Sequence, residues 1–196
     1  MPKKIYCVKN GRKTGKFYTW EQCKAQVDGF TGAIYKSFTD ENDADNYLDY
    51  KEQEHTSDDV AIAYVDGSFK ESSAEFSCGA VILYGGTEIC ISKKYNDEKF
   101  VSMRNVAGEI MGAVEVLRYC IKNNIQNIDI YHDYEGVAKW PTNQWKANKS
   151  GTIAYKKFCD NCRDKISFKF VKVKAHSNNK YNDMADELAK KALGII

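Results

Sequence analysis

Apolar and polar residues alternate through residues 4–9 and again over 16–18, after the turn Asn10-Gly11-Arg12. This predicts a short antiparallel pair of strands. Thr19-Trp20-Glu21-Gln22 has the spacing of a capping box, so a helix is expected from Trp20 towards Val27, ahead of Asp28-Gly29. A third strand is expected over 33–38, and Thr39-Asp40-Glu41 caps a second helix through Leu48. Residues 49–59 are polar and acidic and read as a linker. From Val60 the pattern changes. Residues 60–65 are almost continuously apolar, as in a central strand covered on both faces. Segments 75–84 and 87–95, parted by Gly85-Gly86, predict a hairpin. Val106, Ile110, Ala113, Val114, Leu117 and Ile121 recur at helical spacing within 104–123. A strand over 126–132, helical segments over 134–140 and 151–163, and a strand over 166–174 follow. Ala185, Leu188, Ala189, Ala192 and Leu193 mark a last helix, with Gly194 as its end signal. The order βββαβαβα predicts an α/β fold, a mixed five-stranded sheet flanked by helices, over 60–196. A small α+β domain over 1–48 precedes it.

Composition narrows the class. Hydrophobic residues make up 43% of the 196, ample for a core. No apolar run approaches membrane-spanning length and no charged-then-apolar leader opens the chain, so a cytoplasmic protein without membrane attachment is expected. The seven cysteines are scattered, mostly beside apolar residues, and read as reduced thiols. Cys159 and Cys162 have the spacing of half a zinc site, but no second ligand pair accompanies them. The net charge of +2 conceals an asymmetry. Residues 1–36 carry eight Lys/Arg against two acids, residues 37–59 one Lys against nine acids, and the remainder is mildly basic. A basic block is either a solvated face or a polyanion-binding surface.

Four acids stand in distinctive settings: Asp66 in Tyr64-Val65-Asp66-Gly67-Ser68, Glu109 in Val106-Ala107-Gly108-Glu109-Ile110, Asp133 after residues 128–132, and Asp186 in Met184-Ala185-Asp186-Glu187. Asp66 and Asp133 end expected strands, which a strand–helix–strand crossover makes parallel, so both reach one edge of the sheet. Glu109 lies beside the buried stripe of its helix, where an ionised carboxylate is costly unless paired or metal-bound. Each acid alone has a bland explanation: a turn at Asp66, a cap at Asp133, a surface ion pair at Asp186. Together they suit a divalent cation with hard oxygen ligands, Mg²⁺ or Mn²⁺.

These motifs, with Val-Lys-Ala-His at 173–176 and Asn-Asp-Met-Ala-Asp-Glu-Leu-Ala at 182–189, resemble type 1 ribonuclease H across residues 60–196. The resemblance implies a ribonuclease H-like sheet and hydrolysis of the RNA strand of RNA–DNA hybrids by two Mg²⁺ ions, with Mn²⁺ as a substitute. Paired ions of this kind activate a water and stabilise the leaving 3′ oxygen, giving 5′-phosphate and 3′-hydroxyl ends. It implies Asp66, Glu109, Asp133 and Asp186 as metal ligands and His176 as an aid to proton transfer or product release. Gly67, Ser68, Arg104, Asn105 and Asn182 are implied as substrate contacts. The chain departs from the family at Arg104, where a small hydroxyl residue is common, and at Tyr134-Glu135, where small or amide side chains are common.

Residues 1–48 resemble the hybrid-binding domain of cellular members of this family, through Ile5-Tyr6-Cys7-Val8, residues 11–15, residues 19–27 and Tyr35-Lys36-Ser37-Phe38. Tyr6, Trp20 and Tyr35 are implied to face deoxyribose and Lys36 to meet phosphate, with Trp20 as a plain core residue the competing reading. Trp145 and its neighbouring lysines are open to either nucleic-acid contact or core packing. A non-catalytic hybrid-binding protein and a related DNA-directed nuclease are the rival functions. The intact set of four acids speaks against the first and the amino-terminal domain against the second. A monomer with no obligate protein partner is expected.

Overall fold

The alternation at the start of the chain builds β1 (Ile5–Asn10), β2 (Gly15–Phe17) and β3 (Ile34–Phe38), an antiparallel sheet of order β2-β1-β3. A computed structural model describes residues 4–49, 59–173 and 179–196, in two units, Met1–Thr56 and Ser57–Ile196. Residues 50–58 of the expected linker and His176 lie outside the described residues.

In the first unit, α1 (Trp20–Val27) starts where the capping pattern places it. Thr19 Oγ1 accepts the Gln22 N–H (3.3 Å), and Gln22 Oε1 accepts the N–H of Tyr18 (3.1 Å) rather than that of Thr19. The helix α2 (Glu41–Asp49) is capped by Asp40, whose carboxylate accepts the Asp43 N–H at 3.0 Å. Alternation along β1 serves two small cores. Val8 packs with Cys23 and Val27 of α1, while Ile5 and Cys7 pack with Ala44 and Tyr47 of α2.

The second unit is a five-stranded mixed sheet of order β6-β5-β4-β7-β8. Its strands are β4 (Ala61–Lys70), β5 (Glu75–Tyr84), β6 (Thr87–Tyr95), β7 (Asn127–His132) and β8 (Ser167–Lys172). The helices are α3 (Glu98–Val101), α4 (Asn105–Lys122), α5 (Gly136–Lys139), α6 (Ser150–Cys162) and α7 (Lys180–Ala192). The hairpin strands are antiparallel, and β4, β7 and β8 run parallel. None of the described helices is long and apolar enough to cross a membrane.

Two expectations are corrected. The first strand of this unit does not end at Asp66. Its parallel pairing with β7 stops at Tyr64↔Tyr131, but its antiparallel pairing with β5 continues to Lys70↔Glu75. The long hairpin partner keeps residues 66–70, mostly polar, in the strand. The expected helix over 134–140 is a single turn, α5: Trp140 still has helical dihedrals, but Pro141 has no N–H to continue the ladder, and the Val137 carbonyl accepts the Tyr155 hydroxyl instead at 2.8 Å.

Both faces of β4 are covered. Ala61, Ala63 and Val65 meet Ala107, Ile110 and Ala113 of α4, while Ile62 and Tyr64 meet Ala185 of α7. The helices come unusually close at three glycines. A Cβ on Gly67 would collide with the backbone of Asn105, Gly108 and Glu109, and one on Gly108 would lie 2.7 Å from the Gly67 Cα and overlap the Ser77 carbonyl oxygen. A Cβ on Gly79, the cross-strand partner of Asp66, would overlap the Ala185 carbonyl oxygen and lie 2.6 Å from the Ala189 nitrogen. The hydroxyl of Ser77 then pins α7 by donating to the Ala189 carbonyl at 2.6 Å. Gly79→Ala should therefore destabilise the protein by about 2–3 kcal/mol, the upper end of an overpacking cost, because only backbone can yield. A thermal melt within a degree of wild type would contradict this packing.

Candidate metal centre and nucleic-acid surfaces

The parallel register fixes the first part of the site. Asp66 lies two residues beyond Tyr64, and Asp133 lies two beyond Tyr131, its partner across the sheet. The close approach of α4 at Gly67 and Gly108 carries Glu109 to the same edge. Carboxylate oxygens of Asp66, Glu109 and Asp133 all lie within 4.8 Å of one another. Among the described residues no other group of metal-ligating side chains is gathered this way.

Electrostatics explain why such a cluster is unstable without a cation. Burial raises the Asp66 carboxyl to about 7, with Asp133 and Asp186 adding to the rise and the Gly67 N–H and Lys190 opposing it. Burial, then the charges of Asp133 and Asp66, push Glu109 up to about 9. Glu109 is only 4% exposed, and among the described residues its Oε2 has no hydrogen-bond partner. A buried carboxylate oxygen without a donor, facing two other carboxylates, is what a hard divalent cation satisfies. The residues fit Mg²⁺ or Mn²⁺.

Asp186 is not in that three-acid group. Its Oδ2 lies 2.5 Å from the ammonium of Lys190, one turn along α7, although its charge is felt at Asp66. Asn182, four residues earlier on α7, is 5% exposed, and among the described residues its Oδ1 has no partner. Gly67 packs on α4, Ser68 is half-buried opposite Ser77, and the Asn105 side chain is exposed. Arg104 precedes α4 with φ 54° and ψ −132°, a conformation that favours glycine and costs a larger residue about 1–3 kcal/mol. Its guanidinium lies over the Phe69 ring and bonds Glu71 at 2.6 Å. That partner was not anticipated, since Glu71 and Arg104 are 33 residues apart.

In the first unit Trp20 stands between Tyr6 and Tyr35, with ring centroids 5.7 and 5.8 Å away. Trp20 and Tyr35 are 41% and 45% exposed, so this aromatic row is a surface feature rather than core. Lys36 is not part of it. It pairs across the sheet with Cys7 and so alternates to the α2 face, away from Tyr35. Trp145 is 37% exposed. It touches Trp140 and Tyr134, and the Lys139 ammonium lies 5.0 Å from its ring centroid. Tyr134 thus joins the tryptophans to the acid cluster, and the Glu109 charge helps raise its hydroxyl after burial has done so.

Residues 58–194 match the RNase H family, and residues 4–48 match the Ribonuclease H1 N-terminal domain. The chain belongs to the ribonuclease H family. It is a type 1 ribonuclease H carrying that amino-terminal domain. A ribonuclease H of Francisella tularensis subsp. novicida is 33% identical over 147 residues, covering 69% of this chain and 91% of its own length. The ribonuclease H of Saccharomyces cerevisiae is 50% identical over 44 residues, 22% of this chain and 13% of its own length. In fold, the second unit is similar to RNase H1 from the archaeon Halobacterium salinarum (TM-score 0.57, 18% identity, 70% of this chain and 99% of that one).

The acids of this ribonuclease H give a signed pH dependence. Asp66 and Glu109 hold protons in the folded, ion-free protein that the unfolded chain releases near its ordinary carboxyl values of 3.8 and 4.5. Their contribution to stability is complete below those values and is lost as pH rises through about 7 and then about 9. In EDTA the melting temperature should fall between about pH 6 and 9, and saturating Mg²⁺ should remove most of that fall. An EDTA profile that is flat or rises over this range would contradict the clustering.

Proposed function

We propose that this ribonuclease H is a divalent-cation-dependent endonuclease that cuts the RNA strand of RNA–DNA hybrids, using Mg²⁺, or Mn²⁺ as a substitute, and leaving 5′-phosphate and 3′-hydroxyl ends. The observation that carries the reading is the gathering of Asp66, Glu109 and Asp133 around the unpartnered Glu109 Oε2. Asp66, Glu109, Asp133 and Asp186 would hold the ions. Asp66 feels the charge of both Asp133 and Asp186, which makes it the ligand to share. Bound divalent cations at such a site supply activation of a water and stabilisation of the departing 3′ oxygen. His176 enters from the sequence alone, as the imidazole that moves a proton or helps product leave.

Recognition of RNA rests on its 2′-hydroxyls. Among the described residues the buried Asn182 Oδ1 is an acceptor without a donor, and a 2′-hydroxyl is a donor of the right kind. Ser68, Asn105 and the Gly67 backbone lie on the elements that carry Asp66 and Glu109 and are the further groups for this contact. Arg104 would meet a DNA phosphate once released from Glu71. In the amino-terminal domain, Tyr6, Trp20 and Tyr35 present a flat apolar row suited to deoxyribose, and Lys36 would reach phosphate from the edge strand β3. Residues 1–48 then act as a substrate-capturing domain, residues 49–59 as a linker that raises the local concentration of hybrid, and residues 60–196 as the catalytic domain. Action as a monomer in the cytoplasm, without an obligate protein partner, completes the proposal.

Asp133→Asn should abolish cleavage of an RNA–DNA hybrid in Mg²⁺ while binding, followed by fluorescence anisotropy, stays within about two-fold of wild type. Normal turnover by this variant would sink the site assignment. Trp20→Ala should weaken hybrid binding by about five-fold or more, in keeping with the loss of one aromatic stack, with single-turnover cleavage at saturating enzyme retained. Equal affinities for variant and wild type at matched salt would remove the role of the amino-terminal domain.

A further inference from the structure

The fourth acid already has a cation of its own. Lys190 and Asp186 lie one turn apart on α7, with Nζ and Oδ2 at 2.5 Å and side chains 40% and 33% exposed. Among the described residues no comparable partner reaches Glu109 Oε2. Resting on the metal reading above, we propose that Lys190 is a tethered counter-ion that holds Asp186 in the ion-free protein and must release it before a divalent cation can use that carboxylate. A primary ammonium is a compact, strongly hydrated point charge on a flexible stem, the side chain most similar to a hard cation. The helix spacing keeps it beside Asp186 at little entropic cost. Its charge also reaches Asp66, where it opposes the effect of the neighbouring acids.

The arrangement has two effects of opposite sign. Lys190 relieves carboxylate repulsion when no ion is bound, so it stabilises the empty site. It competes for Asp186 when an ion arrives, so it weakens ion binding there. The three-acid group carries no such competitor at Glu109 Oε2, so the two sides of Asp66 would load at different ion concentrations. A surface lysine paired for solubility alone would have the first effect without the second.

Calorimetric titration of Mn²⁺ into the full chain separates these cases, alongside melts in EDTA. Lys190→Gln should bind Mn²⁺ about three- to five-fold tighter, the size expected of a partly exposed ion pair, and should melt at lower temperature in EDTA. Lys190→Arg, which keeps the charge, should stay near wild type in both. Lys191→Gln, the exposed neighbour, should not tighten binding. In an Asp186→Asn background, Lys190→Gln should lose its effect on affinity. Equal or weaker Mn²⁺ binding by a folded Lys190→Gln variant, or equal tightening by Lys191→Gln, would overturn the proposal and leave the metal site standing. Absence of saturable Mn²⁺ binding by wild type would overturn the metal reading, and the proposal with it.

Discussion

Helix α4 can reach the edge of the sheet at Asp66 only because Gly67 and Gly108 carry no side chains. Any Cβ there would strike backbone, so the helix would be lifted and Glu109 withdrawn with it. Gly79 does the same on the opposite face, beside Asp66, and lets α7 bring Asp186 close enough for its charge to be felt. Packing on both faces thus presses carboxylates together against their repulsion. The core holds them there, since Ala61, Ala63 and Val65 on one side and Tyr64 on the other are buried. The resulting free-energy cost is offset by protons or by a hard divalent cation.

The same constraint accounts for the polar surroundings. Asn182 and Glu109 are buried side chains with an oxygen unpaired among the described residues, and both lie on helices that the glycines draw inward. Leaving such groups unsatisfied costs stability, about 1–3 kcal/mol for a neutral amide. Groups of that kind are kept where a ligand completes them. A carboxylate cluster asks for cations, and a buried amide oxygen asks for a donor. The Trp20 row is an exposed aromatic surface, the kind on which nucleic acid stacks.

Much of this was legible in the sequence because local patterns carried it. The hairpin of β5 and β6, the start of α1 and the stripe of α4 follow directly from alternation, capping and helical spacing. Asp66, Glu109 and Asp133 stood out because acids are rare beside apolar runs. The misreadings have physical causes. Asp66-Gly67-Ser68 reads as a strand end because its composition is that of a turn, whereas β5 holds those residues in the sheet to Lys70. The four-residue α3 is too short to show a period. The Asp186–Lys190 pair was visible as a helical i,i+4 spacing. The pairing of Arg104 with Glu71 and the positive φ of Arg104 were not, because both depend on tertiary contacts.

The most direct test of the account is cleavage of end-labelled duplexes by the wild-type protein, resolved on a gel. RNA–DNA hybrid, RNA–RNA and DNA–DNA of one sequence would be incubated with Mg²⁺ or with EDTA. Cutting confined to the RNA strand of the hybrid, present only with Mg²⁺, is the predicted result. Cutting of the hybrid in EDTA, or an intact hybrid with both Mg²⁺ and Mn²⁺ supplied, would contradict the reading of these carboxylates as a metal-dependent catalytic centre.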